Sequence, residues 1–230
     1  MNELNLLSAS HVLTVLLSLA SIVLLPKYFK KSAPTARSLF RYSIIFLLLV
    51  NQLMDFYREG LMSNNWKEGL PLHLCDFSTI AVILYFITKN REFFVFAFFF
   101  GIAGGGMSIL TPDTVYGFPY IGYIQSQIGH TMILMGVSYA IIIDNQRPQL
   151  KDVHRVLGVL SVFLLLMYPI NNLLGSPANY WYVAEKPPGF NVTDLMRDAP
   201  YHMIDIYILT AVICYLIYLP YFIKDKLSQK

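Results

Sequence analysis

Seven apolar stretches, separated by more polar segments, divide this 230-residue chain. Each has about the 20 residues that an α-helix needs to cross a hydrocarbon core of about 30 Å. Little of the chain remains outside them for a soluble domain. The pattern therefore predicts an all-α polytopic membrane protein, with a single integral membrane domain over residues 1–230. The seven predicted transmembrane helices cover residues 6–25, 39–57, 70–88, 93–111, 123–143, 155–173 and 201–223.

Composition and charge agree with a lipid environment and add an orientation. Hydrophobic residues make up 56% of the chain and charged residues 13%, with a mean hydropathy of +0.52, which is too apolar for a soluble domain. Of the 17 Lys and Arg residues, the predicted outer connections hold only Arg58, Lys67, Lys186 and Arg197. The positive-inside rule then places the N-terminus outside and the C-terminus in the cytosol. The excess of basic residues behind the net charge of +3 is explained as a signal of this topology. No nucleic-acid partner is therefore predicted.

A hexapeptide pattern that occurs twice suggests an internal repeat. PLHLCD (71–76) and PYHMID (200–205) share the pattern P-x-H-x-x-D, and similar apolar runs follow both. His11 in the first predicted helix has a counterpart in His130 of the fifth. These matches predict a parallel 3+1+3 repeat about an axis along the membrane normal. Its halves would be residues 6–88 and 123–223, with a linker helix over 93–111.

Polar side chains concentrate at the helix ends that this topology places outside. Because they are costly in hydrocarbon and usually face a bundle interior or water, they predict a polar cavity in the outer half of the protein. The longest outer connection, residues 174–200, would cover the cavity as a lid. The polar residues at these ends are His11, Asn51, Gln52, Asp55, His73, Cys75, Asp76, Gln127, His130, Asn171, Asn172, His202 and Asp205.

Three pairs within this set stand three positions apart, so both members would share one helix face. They are His73 with Asp76, His202 with Asp205, and Gln127 with His130. A carboxylate beside an imidazole fixes its tautomer and raises its basicity. Pro71 suits the first turn of a helix, which would place Cys75 near the positive end of the helix dipole, where a thiolate is stabilised. Taken alone, Cys75 is explained as a packing residue and His130 as a structural histidine that bonds between helices.

Metal binding is a third possible role for the histidines. Four histidines, two aspartates and a thiolate could bind zinc if four helices brought them together. The chain has no H-x-x-x-H or C-x-x-C spacing that would support such a site. No metal and no other cofactor is therefore predicted.

Several motifs, in order along the chain, resemble a known family. They are PLHLCD (71–76), GIAGGGMSILTPD (101–113), QIGHTMILMG (127–136), INNLLGSPANYWYV (170–183) and YLPY (218–221). Over about residues 40–222 the chain resembles the YwaF-type family of bacterial multipass membrane proteins. It is similar, more distantly, to a eukaryotic transmembrane family described as a cysteine-dependent acyltransferase that acts on ether phospholipids. The resemblance implies a bacterial cytoplasmic membrane as the location, with Cys75 as nucleophile and His130 as base.

The leading hypothesis is a membrane-embedded acyltransferase or lipid ester hydrolase at the outer leaflet. Cys75 would attack an acyl ester and His130, held by Gln127, would take its proton. Membrane lipids would be the partners, and an acyl lipid or another small molecule the substrate. The residues predicted to bind the substrate or the developing oxyanion are Gln52, Asp55, His73, Asp76, Gln127, Asn172, His202 and Asp205.

Two other classes of protein stay open. A small transporter or ligand-binding membrane protein would use a parallel repeat and the P-x-H-x-x-D pairs to bind its solute. The polar residues do not continue into the cytosolic half, however, as a permeation path requires. A scaffold that packs against other membrane proteins would explain the glycines of GIAGGG but not the histidines. The sequence leaves the oligomeric state open.

Overall fold

The computed structural model describes residues 3–63, 65–186 and 192–228, and it is all-helical. In these described ranges, seven helices overlap the seven apolar stretches, so the predicted all-α class is confirmed. Within the described ranges the chain forms no strand beyond an isolated bridge between Glu3 and Tyr116. The helices are α1 (Ala9–Lys30), α2 (Pro34–Met62), α3 (Leu74–Thr88), α4 (Arg91–Leu110), α5 (Ile121–Ile142), α6 (Leu150–Leu174) and α7 (His202–Ser228).

Five of these helices, α1, α2, α4, α6 and α7, are long and apolar enough to cross a membrane. Helix α3 is apolar but has 15 residues, and α5 has 22 residues but includes Gln125, Gln127 and His130. The exact number of spans, the sidedness and the internal repeat stay predictions.

Two of the helices contain π-helical turns, in which the hydrogen bond spans five residues instead of four. The last part of α2, Phe56–Met62, is π-helical, as is the middle of α4, Ala97–Gly105. Such widened turns are rare and are frequently found at functional sites. The π-helical part of α4 contains Gly101 and Gly105 of the GIAGGG motif.

The chain forms two compact units. The first unit contains the residues up to Met54 together with Cys75–Arg147, and the second contains Asp55–Leu74 with the residues from Pro148 onward. Both units combine segments that are distant in the sequence. Their boundaries therefore differ from those of the predicted repeat halves.

Helix α5 is the central element of the first unit, and more than half of its residues are buried. Helix α1 packs along it, with Ser18 accepting a 2.9 Å hydrogen bond from the Thr131 hydroxyl. Because its polar side chains face protein, α5 tolerates a polarity that a lipid-facing helix would not. Burial therefore explains why this long helix is less apolar than its neighbours.

Close packing by glycines joins α4 to α5. A Cβ atom added to Gly101 would lie 3.0 Å from Ile133, and one added to Gly105 would lie 3.8 Å from His130. These glycines of the GIAGGG motif therefore lie at the packing surface between α4 and α5. The approach at Gly101 is tight, because the Ile133 side chain would have to shift by a few tenths of an ångström to make room for a Cβ atom.

Helix α3 runs alongside α5 in the same direction. The side chain of Val82 packs on Gly136, where an added Cβ atom would be only 2.3 Å from Val82 Cγ1. Further along both helices, the rings of Phe86 and Tyr139 meet edge to face, with centroids 5.0 Å apart. These successive contacts fix the register of α3 against α5.

The second unit is built on α6 and α7, which pack against each other. The Ser161 hydroxyl of α6 donates a 3.2 Å hydrogen bond to the Tyr207 hydroxyl of α7. A short 3-10 turn, Tyr180–Tyr182, packs on α6, and within it the Trp181 ring stacks on Phe163 at a centroid distance of 5.3 Å.

Candidate functional site

Cys75 is the second residue of α3, which begins at Leu74. The prediction that Pro71 occupies the first helical turn is therefore wrong, although Cys75 does lie at the positive end of the helix dipole. His73 precedes the helix, so the three-residue spacing does not put it on one helical face with Asp76. Cys75 itself is half-buried.

Two predicted site residues, Gln52 and Asp76, are joined directly. Asp76 is buried, with 9% of its surface exposed, and its carboxylate accepts a 2.8 Å hydrogen bond from Gln52 Nε2. The preceding residue of α2, Asn51, packs against α5, where a Cβ atom added to Gly129 would lie 2.4 Å from Asn51 Nδ2. Helix α2 thus connects the residue after Cys75 with the residue before His130.

Cys75 and His130 both belong to the first unit. Cys75 stands seven residues before Val82, and His130 stands six residues before Gly136. Val82 and Gly136 are in contact. From the helical rise per residue, Cys75 lies about 10 Å before this contact along α3, and His130 lies about 9 Å before it along α5. The predicted nucleophile and base thus stand at similar distances along their own helices from this contact.

The His130 ring is held by its own helix. Its Nδ1 lies 2.8 Å from the backbone carbonyl of Ser126 and 3.3 Å from the Ser126 hydroxyl. A carbonyl oxygen can only accept, so Nδ1 carries the proton in the neutral ring and Nε2 carries the lone pair. A neutral imidazole with a free lone pair is the form that a general base requires.

The prediction that Gln127 holds His130 is wrong. The Gln127 side chain is buried, and Nε2 is within 3.4 Å of the Ser108 carbonyl and 3.3 Å of the Ile109 carbonyl. Gln127 therefore ties α5 to the end of α4, and Ser126 orients the imidazole. The missed signal is the S-x-x-x-H spacing at 126–130, which places the carbonyl of Ser126 one turn before the ring.

The pairing predicted between His202 and Asp205 is replaced by two other interactions. His202 has no exposed surface, and its Nε2 donates a 2.8 Å hydrogen bond to the Tyr182 carbonyl. Asp205 instead accepts from Arg197, whose Nε lies 3.1 Å and 3.0 Å from the two carboxylate oxygens. These hydrogen bonds raise the pKa of Arg197 above its ordinary value. The Asp205 carboxylate therefore does not orient the His202 imidazole.

The remaining predicted residues of the second unit have varied surroundings. The His73 ring lies against Tyr180, with centroids 4.7 Å apart. Asp55 forms an ion pair with Arg58 at 3.5 Å. Asn172 is exposed on α6, whereas its neighbour Asn171 is buried.

Three consecutive aromatic residues, Tyr180, Trp181 and Tyr182, form what we call the aromatic clasp. The Tyr180 hydroxyl donates to the Lys67 carbonyl at 2.6 Å and accepts from the Leu70 backbone N–H at 3.0 Å. Trp181 Nε1 donates to a further carbonyl of the same segment, that of Leu72, at 2.7 Å. The clasp therefore holds the residues that lead into α3 and Cys75.

Asn171 in turn supports the aromatic clasp. Its side-chain amide donates to the Tyr180 carbonyl at 2.9 Å and accepts from the Tyr180 N–H at 2.8 Å. Trp181 and Tyr182 have positive φ angles of 60° and 54°, a strained conformation that persists only where surrounding contacts enforce it. Asn171 and the aromatic clasp belong to the motif INNLLGSPANYWYV (170–183), which contributed to the family resemblance. Its sequence alone does not indicate that Asn171 supports the clasp.

The lid predicted over residues 174–200 is only in part a surface loop. Tyr180 and Trp181, with 1% and 8% of their surfaces exposed, belong to the interior of the second unit. Residues 187–191 lie outside the described part of the chain. In the ranges that the structure describes, no three His, Cys, Asp or Glu side chains are gathered closely enough to hold a metal ion.

Comparison with known proteins identifies the family. A profile of the TMEM164 family matches residues 6–218. The chain belongs to the TMEM164 family. This membership fits the eukaryotic resemblance found in the sequence, while the YwaF-type assignment stays a prediction. Together with the five long apolar helices, it indicates a multi-pass membrane protein.

The chain is also similar to an uncharacterized protein of Treponema pallidum (strain Nichols). It is 27% identical over 146 residues, which cover 63% of this chain and 58% of that protein. The match thus spans little more than half the length of the relative. No solved structure matches the chain.

Proposed function

We propose that this protein is a membrane-embedded acyltransferase or lipid ester hydrolase that acts at the outer leaflet through Cys75 and His130. The observation that carries the proposal is the orientation of His130, whose Nδ1 lies 2.8 Å from the Ser126 carbonyl and so leaves Nε2 as the ring nitrogen with the lone pair. Membership of the TMEM164 family supports it, as does the position of Cys75 in the first turn of α3. The substrate is an acyl lipid of the surrounding membrane.

In the first half of the reaction, His130 Nε2 takes the proton of the Cys75 thiol, and the sulfur attacks the ester carbonyl of the lipid. The tetrahedral intermediate collapses as the carbon–oxygen bond of the ester breaks. The leaving alkoxide takes the proton from His130 and departs as a lysolipid. The acyl group remains on Cys75 as a thioester.

In the second half, an acceptor alcohol attacks the thioester in a transferase, and water attacks it in a hydrolase. His130 removes the proton of the attacking group and returns it to the departing Cys75 sulfur. The products are a new ester or a free fatty acid, and the enzyme regains its starting state. The protein is a transferase if an alcohol reaches the thioester and a hydrolase if water does.

Residues around Cys75 tune the reaction. The helix dipole favours the thiolate, and the hydrogen bond from Gln52 partly offsets the negative charge of the adjacent Asp76 carboxylate. Gln52 Nε2 has a second hydrogen, which we assign to the developing oxyanion. Substrate binding by the other candidates stays a prediction; they are Asp55, His73, Gln127, Asn172, His202 and Asp205.

The test uses the purified full-length protein in liposomes that contain a phospholipid with an alkyne-tagged acyl chain. After an acid quench, the label on the protein is measured before and after hydroxylamine, which cleaves thioesters. We expect hydroxylamine-sensitive label on the wild type and none on Cys75→Ala. His130→Gln should slow labelling by about 10²- to 10⁴-fold, the usual contribution of a general base.

The buried Cys214 of α7 provides the matched control, because Cys214→Ala should label at the wild-type rate. Size-exclusion profiles of all variants establish that they are folded. Labelling that survives Cys75→Ala contradicts the proposal. Solute flux through proteoliposomes that is unchanged by Cys75→Ala would support a transporter instead.

A further inference from the structure

The turn between α1 and α2 concentrates positive charge. No Asp or Glu occurs between residues 4 and 54. In the described part of the chain, none of the five cations near this turn forms an ion pair with a carboxylate. These cations are Lys27, Lys30, Lys31, Arg37 and Arg41.

Arg37 and Arg41 stand one helical turn apart on α2 and differ from the three lysines. Both are half-buried, and both Nε atoms are buried without a hydrogen-bond partner in the protein. They continue the helix face that Ile44 and Leu48 bury, each with 1% of its surface exposed. The Nε atoms are thus shielded inside the first unit, while the terminal nitrogens of the two guanidinium groups are not among its buried unpaired atoms and keep N–H donors available for a ligand.

Neighbouring groups position these side chains without neutralising them. Arg41 Nη2 donates to the Tyr42 hydroxyl at 3.2 Å, and the guanidinium carbon lies 4.8 Å from the Tyr42 ring centre. The Tyr139 hydroxyl of α5 donates to the Arg37 carbonyl at 3.2 Å. The first turn of α2 contains no acidic residue, so its dipole adds to the positive potential.

These features fit a phosphate group that belongs to a lipid. Two guanidinium groups match phosphate oxygens because each presents a planar set of N–H donors. The turn joins two helices that are long and apolar enough to span a membrane, so it lies at a membrane–water boundary. Tyr28 and Tyr42, which are 69% and 58% exposed, are side chains typical of that boundary.

We propose that Arg37 and Arg41 form a binding site for the phosphate of an anionic phospholipid at the α1–α2 end of the first unit. The site is separate from the acyl-transfer centre, because Arg37 stands 15 residues before Gln52, or about 22 Å along α2. It therefore holds a lipid that is not the substrate of Cys75.

Native mass spectrometry of the full-length protein in mild detergent tests this site. The probe is phosphatidylglycerol, and phosphatidylcholine is the neutral comparison. Each cation near an anionic lipid contributes about fivefold in affinity, so Arg37→Gln with Arg41→Gln should weaken phosphatidylglycerol binding about 30-fold. Binding of phosphatidylcholine should not change.

Two further double variants distinguish a specific site from general charge attraction. Lys224→Gln with Lys226→Gln removes the same charge from an exposed helix end and should leave the affinity within about threefold, since exposed charges are screened. Arg37→Lys with Arg41→Lys keeps the charge but removes the guanidinium forks, and it should bind about tenfold more weakly than wild type. This variant also keeps the test decisive if the glutamine variant fails to fold.

Three results would overturn the proposal. Unchanged phosphatidylglycerol binding in both arginine variants would remove the site. Equal loss in the arginine and Lys224/Lys226 variants would mean diffuse charge attraction. Displacement of the lipid by an equal concentration of inorganic phosphate would show that the site binds a soluble anion.

Discussion

The side-chain amide of Gln52 donates a 2.8 Å hydrogen bond to the carboxylate of Asp76, the residue that follows Cys75. This bond joins α2 to the first turn of α3. Because Asp76 is buried, the bond contributes more than an exposed one would. It fixes the position of the helix end that carries the proposed nucleophile.

Replacement of Gln52 by Ala should lower the free energy of unfolding by about 1.5–3 kcal/mol, the usual contribution of a hydrogen bond to a charged group. Titration with a denaturing detergent would measure the change. Leu53→Ala is the control, because Leu53 is 68% exposed on the same helix, and it should change stability by less than about 0.5 kcal/mol. Equal losses in the two variants would show that the loss does not come from the hydrogen bond to Asp76.

Asn171 and Asn172 offer an adjacent pair for a second prediction. Asn171→Ala should destabilise the protein by roughly 2–5 kcal/mol, because it leaves the backbone N–H and carbonyl of buried Tyr180 without their partner. Asn172→Ala should change stability by less than about 0.5 kcal/mol, since Asn172 is exposed. Thermal unfolding of both variants in detergent compares them. Similar melting temperatures would contradict the double hydrogen bond.

The aromatic clasp should protect the segment before Cys75 from hydrogen exchange. Tyr180→Phe removes the hydroxyl that bonds Lys67 and Leu70, so amides in residues 67–72 should exchange about tenfold faster, as expected when about 1.4 kcal/mol of local stability is lost. Exchange in α5 should stay unchanged. Mass spectrometry of peptides resolves the two regions, and faster exchange throughout the protein would indicate global destabilisation instead.

Two helical glycines should respond to alanine in opposite directions. Gly136→Ala places a methyl group against Val82, whose branched side chain cannot easily move aside, and should cost about 1–3 kcal/mol. Gly106→Ala meets nothing within 4 Å and should be neutral or stabilise by up to about 1 kcal/mol. Unfolding midpoints of both variants test this. A stable Gly136→Ala would contradict the close approach of α3 and α5.

The start of α3 shows why part of the candidate site could not be predicted. The apolar run begins at Leu70, yet the helix begins at Leu74. The Leu70 N–H and the Leu72 carbonyl bond to Tyr180 and Trp181, so these backbone groups are satisfied without a helix. Partners more than 100 positions away in the chain thus decide where the helix starts.

The position of Asp205 illustrates a second kind of difference. Its helical spacing from His202 allowed a hydrogen bond between the two side chains, but Arg197 offers several charged N–H donors to the same carboxylate. Charge-assisted bonds of this kind are stronger than those to a neutral imidazole. Spacing along a helix predicts which residues share a face and leaves the competing partners unknown.

The sequence by itself determined the class of the protein and the location of its seven helices, because the length and apolarity of a helix are local properties of the chain. It also offered Cys75 and His130 as candidate site residues through the motifs that carry them, and their roles stay predictions. Only the tertiary structure decided that Gln52 bonds Asp76 and that the aromatic clasp holds residues 67–72. These relationships depend on which side chains meet across helices, and hydrogen-bond partners are selected by three-dimensional competition that local spacing does not encode.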